Sequence, residues 1–176
     1  MADRTRRAST GANGAAPGWH RKALAALETG KRRRQVRLDG LTGLAGYLIR
    51  QAQLWVFEDF NATLATLDIR PAQYSILVVI RDNPGLSQME LSELLGISRS
   101  GIIPPLDHLQ SRRVLKRTST SDRRTHALHL TPEGEALLAN AENLVQQHER
   151  RLMQKVGARG HAQLLRVLGV FGPNED

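Results

Sequence analysis

The chain has 176 residues, 25 Lys+Arg against 17 Asp+Glu, a formal net charge of +8, no cysteine and 40% hydrophobic residues. That length suits one domain with an attached tail, and the lack of cysteine excludes a disulfide framework, a Cys-rich zinc site and a thiol-based redox switch. The longest apolar run, Ile76 to Ile80, is too short to span a bilayer, and no signal-type apolar stretch follows the start; the expectation is a cytoplasmic protein with no membrane partner.

Position sharpens the charge. Residues 1–37 carry ten basic groups against Asp3 and Glu28, so the whole net charge of +8 resides there. The rest is neutral, yet residues 99–124 hold Arg99, Arg112, Arg113, Lys116, Arg117, Arg123 and Arg124 against Asp107 and Asp122. Two basic patches on an otherwise acidic body suit a polyanionic partner, although a solvated charge run explains the first patch equally well.

Residues 1–18 are too poor in large apolar side chains to order themselves. A short helix is expected over 19–29, with Trp19, Leu24 and Leu27 on one side and Gly30 ending it; Lys31, Arg32, Arg33, Arg34 and Arg37 then form a basic linker. A long helix is expected from Leu41 to Leu67, apolar on two stripes and so in need of two neighbours, one of them a possible second subunit. Pro71 opens the next helix at its first position, and Asn83-Pro84-Gly85 stops it after Asp82.

Ser87-Gln88-Met89-Glu90 has the form of a capping box. The short helix it starts, Gln88 to Leu95, is expected to bury Met89, Leu91, Leu94 and Leu95. Gly96 ends that helix, and Ser98 caps another reaching about Arg112, which together make a helix-turn-helix. Val114–Thr118 and Thr125–Leu130 read as two short strands around a polar basic turn, a wing. Thr131-Pro132-Glu133 caps a long helix running to a break at Gly157, and a last helix covers about 159–170.

This order of elements resembles the MarR family of winged helix-turn-helix regulators, and so do particular residues. Gln88-Met89-Glu90-Leu91-Ser92-Glu93-Leu94-Leu95-Gly96-Ile97-Ser98 is similar to the family's first motif helix and turn. Asp122-Arg123-Arg124, followed by Leu130-Thr131-Pro132-Glu133-Gly134, is similar to its wing signature. The resemblance spans about residues 40–170. It implies a mainly α fold with a small antiparallel β-wing, a homodimer, double-stranded operator DNA as partner, and repression relieved by a small molecule. Divided accordingly, residues 1–37 form the basic extension, 38–70 a dimerisation and linking helix, 71–130 the DNA-binding domain, and 131–176 the C-terminal dimerisation helices.

Two positions depart from the family pattern. Pro104-Pro105 falls inside the recognition helix, where each proline removes an N–H and crowds the preceding turn, at a cost of roughly 3 kcal/mol in a regular helix interior. The helix is therefore expected either to kink there or to restart at the prolines. Arg113 stands where the family usually has glycine.

The resemblance implies that Ser98, Arg99, Ser100 and Gly101 face the major groove, Arg99 with a guanine edge or a phosphate in reach. Arg124 would enter the minor groove, held by Asp122 beside Arg123, while Arg112, Arg113, Lys116 and Arg117 position the DNA backbone. Ser87 reads as a cap before a DNA contact. The family's ligands commonly lie between dimerisation helices and winged domain, which brings Tyr47, Arg50, Gln51, Leu54 and Trp55 into question. An aromatic pair with one cation suits an aromatic carboxylate or its coenzyme A thioester, with ordinary core packing as the competing reading; the 31–37 run could hold the thioester's phosphates, or equally DNA phosphates, or nothing.

The histidines lack chelating spacing, so no metal is expected. No phosphate loop, nucleophile elbow or His-Glu metal helix is present, so neither a cofactor nor an enzymatic activity is expected. A low-specificity architectural DNA protein and a helical ligand-binding or enzymatic protein stay open as alternatives.

Overall fold

The computed structural model describes residues 39–119 and 126–172. The expected helix over 19–29, the basic run Lys31–Arg37 and the wing-tip residues Asp122, Arg123 and Arg124 lie outside them. In chain order the elements are α1 (Asp39–Thr42), α2 (Ala45–Leu64), a 3-10 turn (Ala65–Leu67), α3 (Pro71–Asp82), α4 (Gln88–Leu94), α5 (Arg99–Ser111), β1 (Leu115–Ser119), β2 (His126–Leu130), α6 (Pro132–Val156) and α7 (Ala158–Gly169). The mainly helical class and the two-stranded wing are as expected.

The chain divides into two compact units at Trp55/Val56. Among its described residues the first holds α1 and the start of α2. The expected single helix from Leu41 to Leu67 is interrupted: α1 stops at Thr42, α2 starts at Ala45, and Ala65–Leu67 tightens into a 3-10 turn. Glycines at 40, 43 and 46 weaken helix propagation there, each by about 1 kcal/mol relative to alanine.

The second unit has one main core, built by Ile76, Leu77 and Ile80 of α3, Leu91 of α4, Ile102, Leu106 and Leu109 of α5, Val114 and Leu115, Leu128 of β2 and Leu138 of α6. The 3.6-residue spacing of Ile102, Leu106 and Leu109 turns one face of α5 inward, and its polar residues point out. A smaller core of Leu64, Ile69 and Ala141 joins the end of α2 to α6. Met89 and Leu94, expected in the core, are 49% and 56% exposed; α4 has only seven residues and buries a single face through Leu91 and Ser92.

α5 runs as one continuous helix through Pro104 and Pro105 and does not restart at them. The carbonyls that lose their helical donors belong to Ser100 and Gly101, both exposed, so solvent can satisfy them. Buried Ile102 and Leu106 on the opposite side anchor the helix across the gap.

β1 and β2 pair antiparallel in the register Leu115↔Leu130 to Ser119↔His126. A third piece, unanticipated from sequence, joins them. Gly85 N–H donates to Leu128 O, Leu128 N–H donates to Leu86 O, and Ser87 bridges Ala127. The wing is thereby fixed to the start of α4. No helix among the described residues is long and apolar enough to cross a membrane.

Candidate nucleic-acid interface

Both motif helices begin as local chemistry dictates. Ser87 N–H donates to Glu90 Oε2 at 2.8 Å and Glu90 N–H to Ser87 Oγ at 3.2 Å, the reciprocal box expected from Ser-x-x-Glu. The Ser87 backbone bond, then its hydroxyl, holds the Glu90 carboxyl below its ordinary range. Ser98 Oγ accepts from Gly101 N–H at 3.1 Å and lies 3.4 Å from Ser100 Oγ.

The turn between them closes on itself. Gly96, at φ +60°, donates to Glu93 O, while Ile97 N–H donates to Ser92 O and buried Ser92 Oγ donates to Ile97 O at 2.5 Å. Ser92 was not singled out from sequence. Its hydroxyl replaces a partner that the Ile97 carbonyl would otherwise lack inside the turn.

Ser98, Arg99, Ser100 and Gly101 are all exposed on the first turn of α5. That end of the helix carries unsatisfied N–H groups and positive dipole, a disposition suited to phosphate. Arg99 does not simply extend into solvent: its Nη2 donates to Met89 Sδ at 3.3 Å. A Cβ on Gly101 would lie 3.0 Å from Ser98 Oγ and 3.3 Å from the Ile97 side chain, so a larger residue there would press on the capping hydroxyl.

The four flanking cations separate into two kinds. Arg113 and Lys116 are exposed. Arg117 donates to Asp107 Oδ1 at 2.7 Å, tying β1 to the outer face of α5, and its buried Nε has no protein partner. Arg112 donates to Asp68 O at 2.7 Å and Leu67 O at 3.0 Å. Its guanidinium thus satisfies carbonyls at the end of the 3-10 turn, a structural task that sequence reasoning had not assigned to it.

A second tie lies next to that one. Gln73 Oε1 accepts from Arg70 N–H at 2.8 Å, and its amide nitrogen sits 2.7 Å from His108 Nδ1 on α5. The signal for this was present, since Gln at the third position of a helix often reaches back to its cap. These contacts border an open cavity of about 760 Å³ between the Asn61–Gln73 segment and α5, lined among others by Asn61, Asp68, Arg70, Pro104, Pro105 and His108.

The five residues expected to meet a ligand, Tyr47, Arg50, Gln51, Leu54 and Trp55, all lie on α2 within the first unit. Tyr47, Gln51, Leu54 and Trp55 are partly buried and Arg50 is exposed. Among the described residues, no group of three or more His, Asp or Glu is arranged to hold a metal ion.

The sequence model of the MarR family matches residues 67–125. Over 112 residues the chain is 35% identical to a protein of Thauera aromatica assigned as the transcriptional regulatory protein for the hcr operon, covering 62% of this chain and 68% of that one. Among solved structures, the transcriptional repressor CouR bound to a 23-mer DNA duplex superposes with a TM-score of 0.75 at 40% identity, covering 78% of this chain and 99% of that one. CouR bound to p-coumaroyl-CoA gives 0.72 at 38% identity, covering 78% and 97%.

Proposed function

We propose, from the premise that this chain belongs to the MarR family of DNA-binding transcriptional regulators, that it is a cytoplasmic repressor released from its operator by an aromatic acyl-coenzyme A thioester. Members of the family are dimers, and the C-terminal helix offers an apolar surface for a second copy: Leu165, Val167 and Leu168 of α7 and Phe171 beyond it are all strongly exposed. Two α5 helices related by a dyad address half-sites about 10 bp apart, or a multiple of one helical turn.

The observation that carries the DNA reading is the exposed, capped first turn of α5 beside the wing. Ser98, Arg99, Ser100 and Gly101 approach the major groove, with Arg113 and Lys116 on the flanking backbone. Arg112 and Arg117 chiefly hold the recognition helix in place. At the wing tip Arg124 enters the minor groove, with Asp122 holding it and Arg123 alongside.

For the effector, support comes from the p-coumaroyl-CoA complex of a repressor 38% identical to this chain. The acyl part lies along Tyr47, Gln51, Leu54 and Trp55 with Arg50 at its polar end, and Lys31, Arg32, Arg33, Arg34 and Arg37 hold the phosphates. The cavity beside Pro104 and Pro105 is the second possible seat, favoured by its volume and by Arg70 at its edge. Binding acts by preferring a dimer geometry whose half-site spacing no longer matches the operator.

Thermal shift and DNA-release assays with p-coumaroyl-CoA, p-coumarate and coenzyme A test this. Stabilisation and release by the thioester above its two parts are expected; no response to any of the three overturns the effector reading. Loss of the response in Arg50→Ala or in Arg70→Ala assigns the seat. Arg124→Ala should weaken DNA binding with the fold intact, and unchanged binding removes the wing from the interface.

A further inference from the structure

The first residue of the recognition helix is engaged before any DNA arrives. Arg99 Nη2 donates to the thioether of Met89 at 3.3 Å. Met89 lies on α4 with about half its surface open, and it lines an open cavity of about 330 Å³ with Arg99, Ser87, Gln88, Arg117 and His126. The Met89 side chain is thus open to a small solute, on the same face as the capped end of α5.

A thioether is a weak acceptor, so this contact holds the guanidinium loosely. A sulfoxide in the same place presents a strongly polar oxygen to the same donor and turns a flexible apolar side chain into a polar one. The chain has no cysteine and only three methionines. Thiol chemistry is therefore closed to it, and Met89 is the methionine that touches a candidate DNA-reading side chain.

We propose that Met89 is a site of reversible oxidation whose state sets the availability of Arg99, so that peroxide weakens DNA binding directly. The sulfur lone pair attacks one oxygen of hydrogen peroxide. An S–O bond forms, the O–O bond breaks, and the departing hydroxide takes up the proton left on the transferred oxygen as water. The thioether is oxidised by two electrons and the peroxide reduced to water. The sulfoxide oxygen then accepts from Arg99 and draws it off the groove. This rests on the reading that Arg99 faces DNA.

The experiment uses the full chain and a duplex that the untreated protein selects from a random pool. Binding is measured before and after hydrogen peroxide, with peptide mass spectrometry locating each added oxygen. Met153→Leu removes the exposed methionine of α6 from the comparison. Oxidation at Met89 should lower affinity about tenfold, the order of one good base contact, and methionine sulfoxide reductases should restore it. In Met89→Leu, and in Arg99→Ala, affinity after peroxide should stay within about twofold of the same variant untreated, because the pair no longer exists to be changed. Oxidised Met89 with unchanged affinity overturns the switch, as does an equal loss in Met89→Leu. If untreated Arg99→Ala binds as tightly as the unaltered protein, the placement of Arg99 on DNA falls, and the switch with it; if it binds weakly while oxidation does nothing, only the switch falls.

Discussion

A Cβ on Gly134 would lie 2.0 Å from the Val114 carbonyl oxygen. The first turn of α6 thus runs against the backbone leading into β1 at a separation that only glycine permits. Val114 O also accepts from Thr131 N–H, and Thr131 Oγ1 donates to Arg113 O while accepting from Gly134 N–H at 3.1 Å. Moving α6 away to make room would break this set. Gly134→Ala is therefore expected to destabilise the protein by about 3 kcal/mol or more, at the upper end for overpacking. Urea unfolding followed by circular dichroism checks it, and a loss below about 1 kcal/mol would show that the approach is not tight.

The same motif ends α4 and α5, built once with glycine and once without. After α4, Gly96 N–H donates to Glu93 O and Ile97 N–H to Ser92 O; after α5, Arg113 N–H donates to Gln110 O and Val114 N–H to Leu109 O. Both endings need a left-handed residue, and φ is +60° at Gly96 and at Arg113 alike. An L side chain there costs roughly 1–2 kcal/mol, part of which glycine gives back through its freer unfolded chain. Arg113→Gly should therefore raise stability by about 0.5–1 kcal/mol, seen as a higher Tm. DNA affinity should fall in the same variant, since an exposed cation leaves the flank of α5.

These endings also mark what the sequence makes legible. Ser87 with Glu90, Ser98 with Gly101 and Thr131 with Gly134 are bonds between residues three apart, so identity and spacing alone predict them. The unusual Arg113 was visible as a departure from the family, but its strain became visible only with φ. Contacts made through the fold were not legible. Arg112 meets carbonyls 44 and 45 residues away, and Asp59 meets His148 and Arg151 at separations of 89 and 92. Met89 and Leu94 were misplaced because apolar spacing says which residues share a face, not whether a seven-residue helix has a neighbour for it.

Asp59 on α2 takes a 2.6 Å bond from His148 Nδ1 and paired bonds from Arg151 at 2.8–3.0 Å, while Phe60 packs edge-on against the same imidazole. Burial alone would raise the Asp59 carboxyl, but the hydrogen bonds and charges of Arg151 and His148 prevail and hold it below its ordinary value of 3.8. A lowered carboxylate contributes stability that is fully present above the unfolded-state value and is lost as pH falls through the folded one. Asp59→Asn should thus cost about 1.5–3 kcal/mol near neutral pH, the scale of a hydrogen bond to a charged group. The gap between variant and unaltered protein should narrow only below about pH 4. Urea midpoints across pH 3 to 7 test this, and a gap independent of pH would show that Asp59 acts through packing.

Arg112 and Lys116 carry the same charge four residues apart and should fail in different ways. Lys116 is exposed on β1, and a lysine that contacts one phosphate contributes about one unit to the dependence of log affinity on log salt. Lys116→Ala is expected to weaken binding to all sequences, to reduce that slope by about one, and to leave the unfolding midpoint in place. Arg112 has its guanidinium committed to Leu67 O and Asp68 O. Solvent can replace the guanidinium at exposed Asp68 O but only partly at Leu67 O, so Arg112→Ala should cost about 1 kcal/mol of stability, the scale of one net hydrogen bond. The salt slope should change by less than one, since the lost affinity arises from a recognition helix held less firmly. Salt titrations of DNA binding and urea unfolding on the two variants decide the matter. A full unit of slope lost in Arg112→Ala without loss of stability would return that arginine to the DNA backbone.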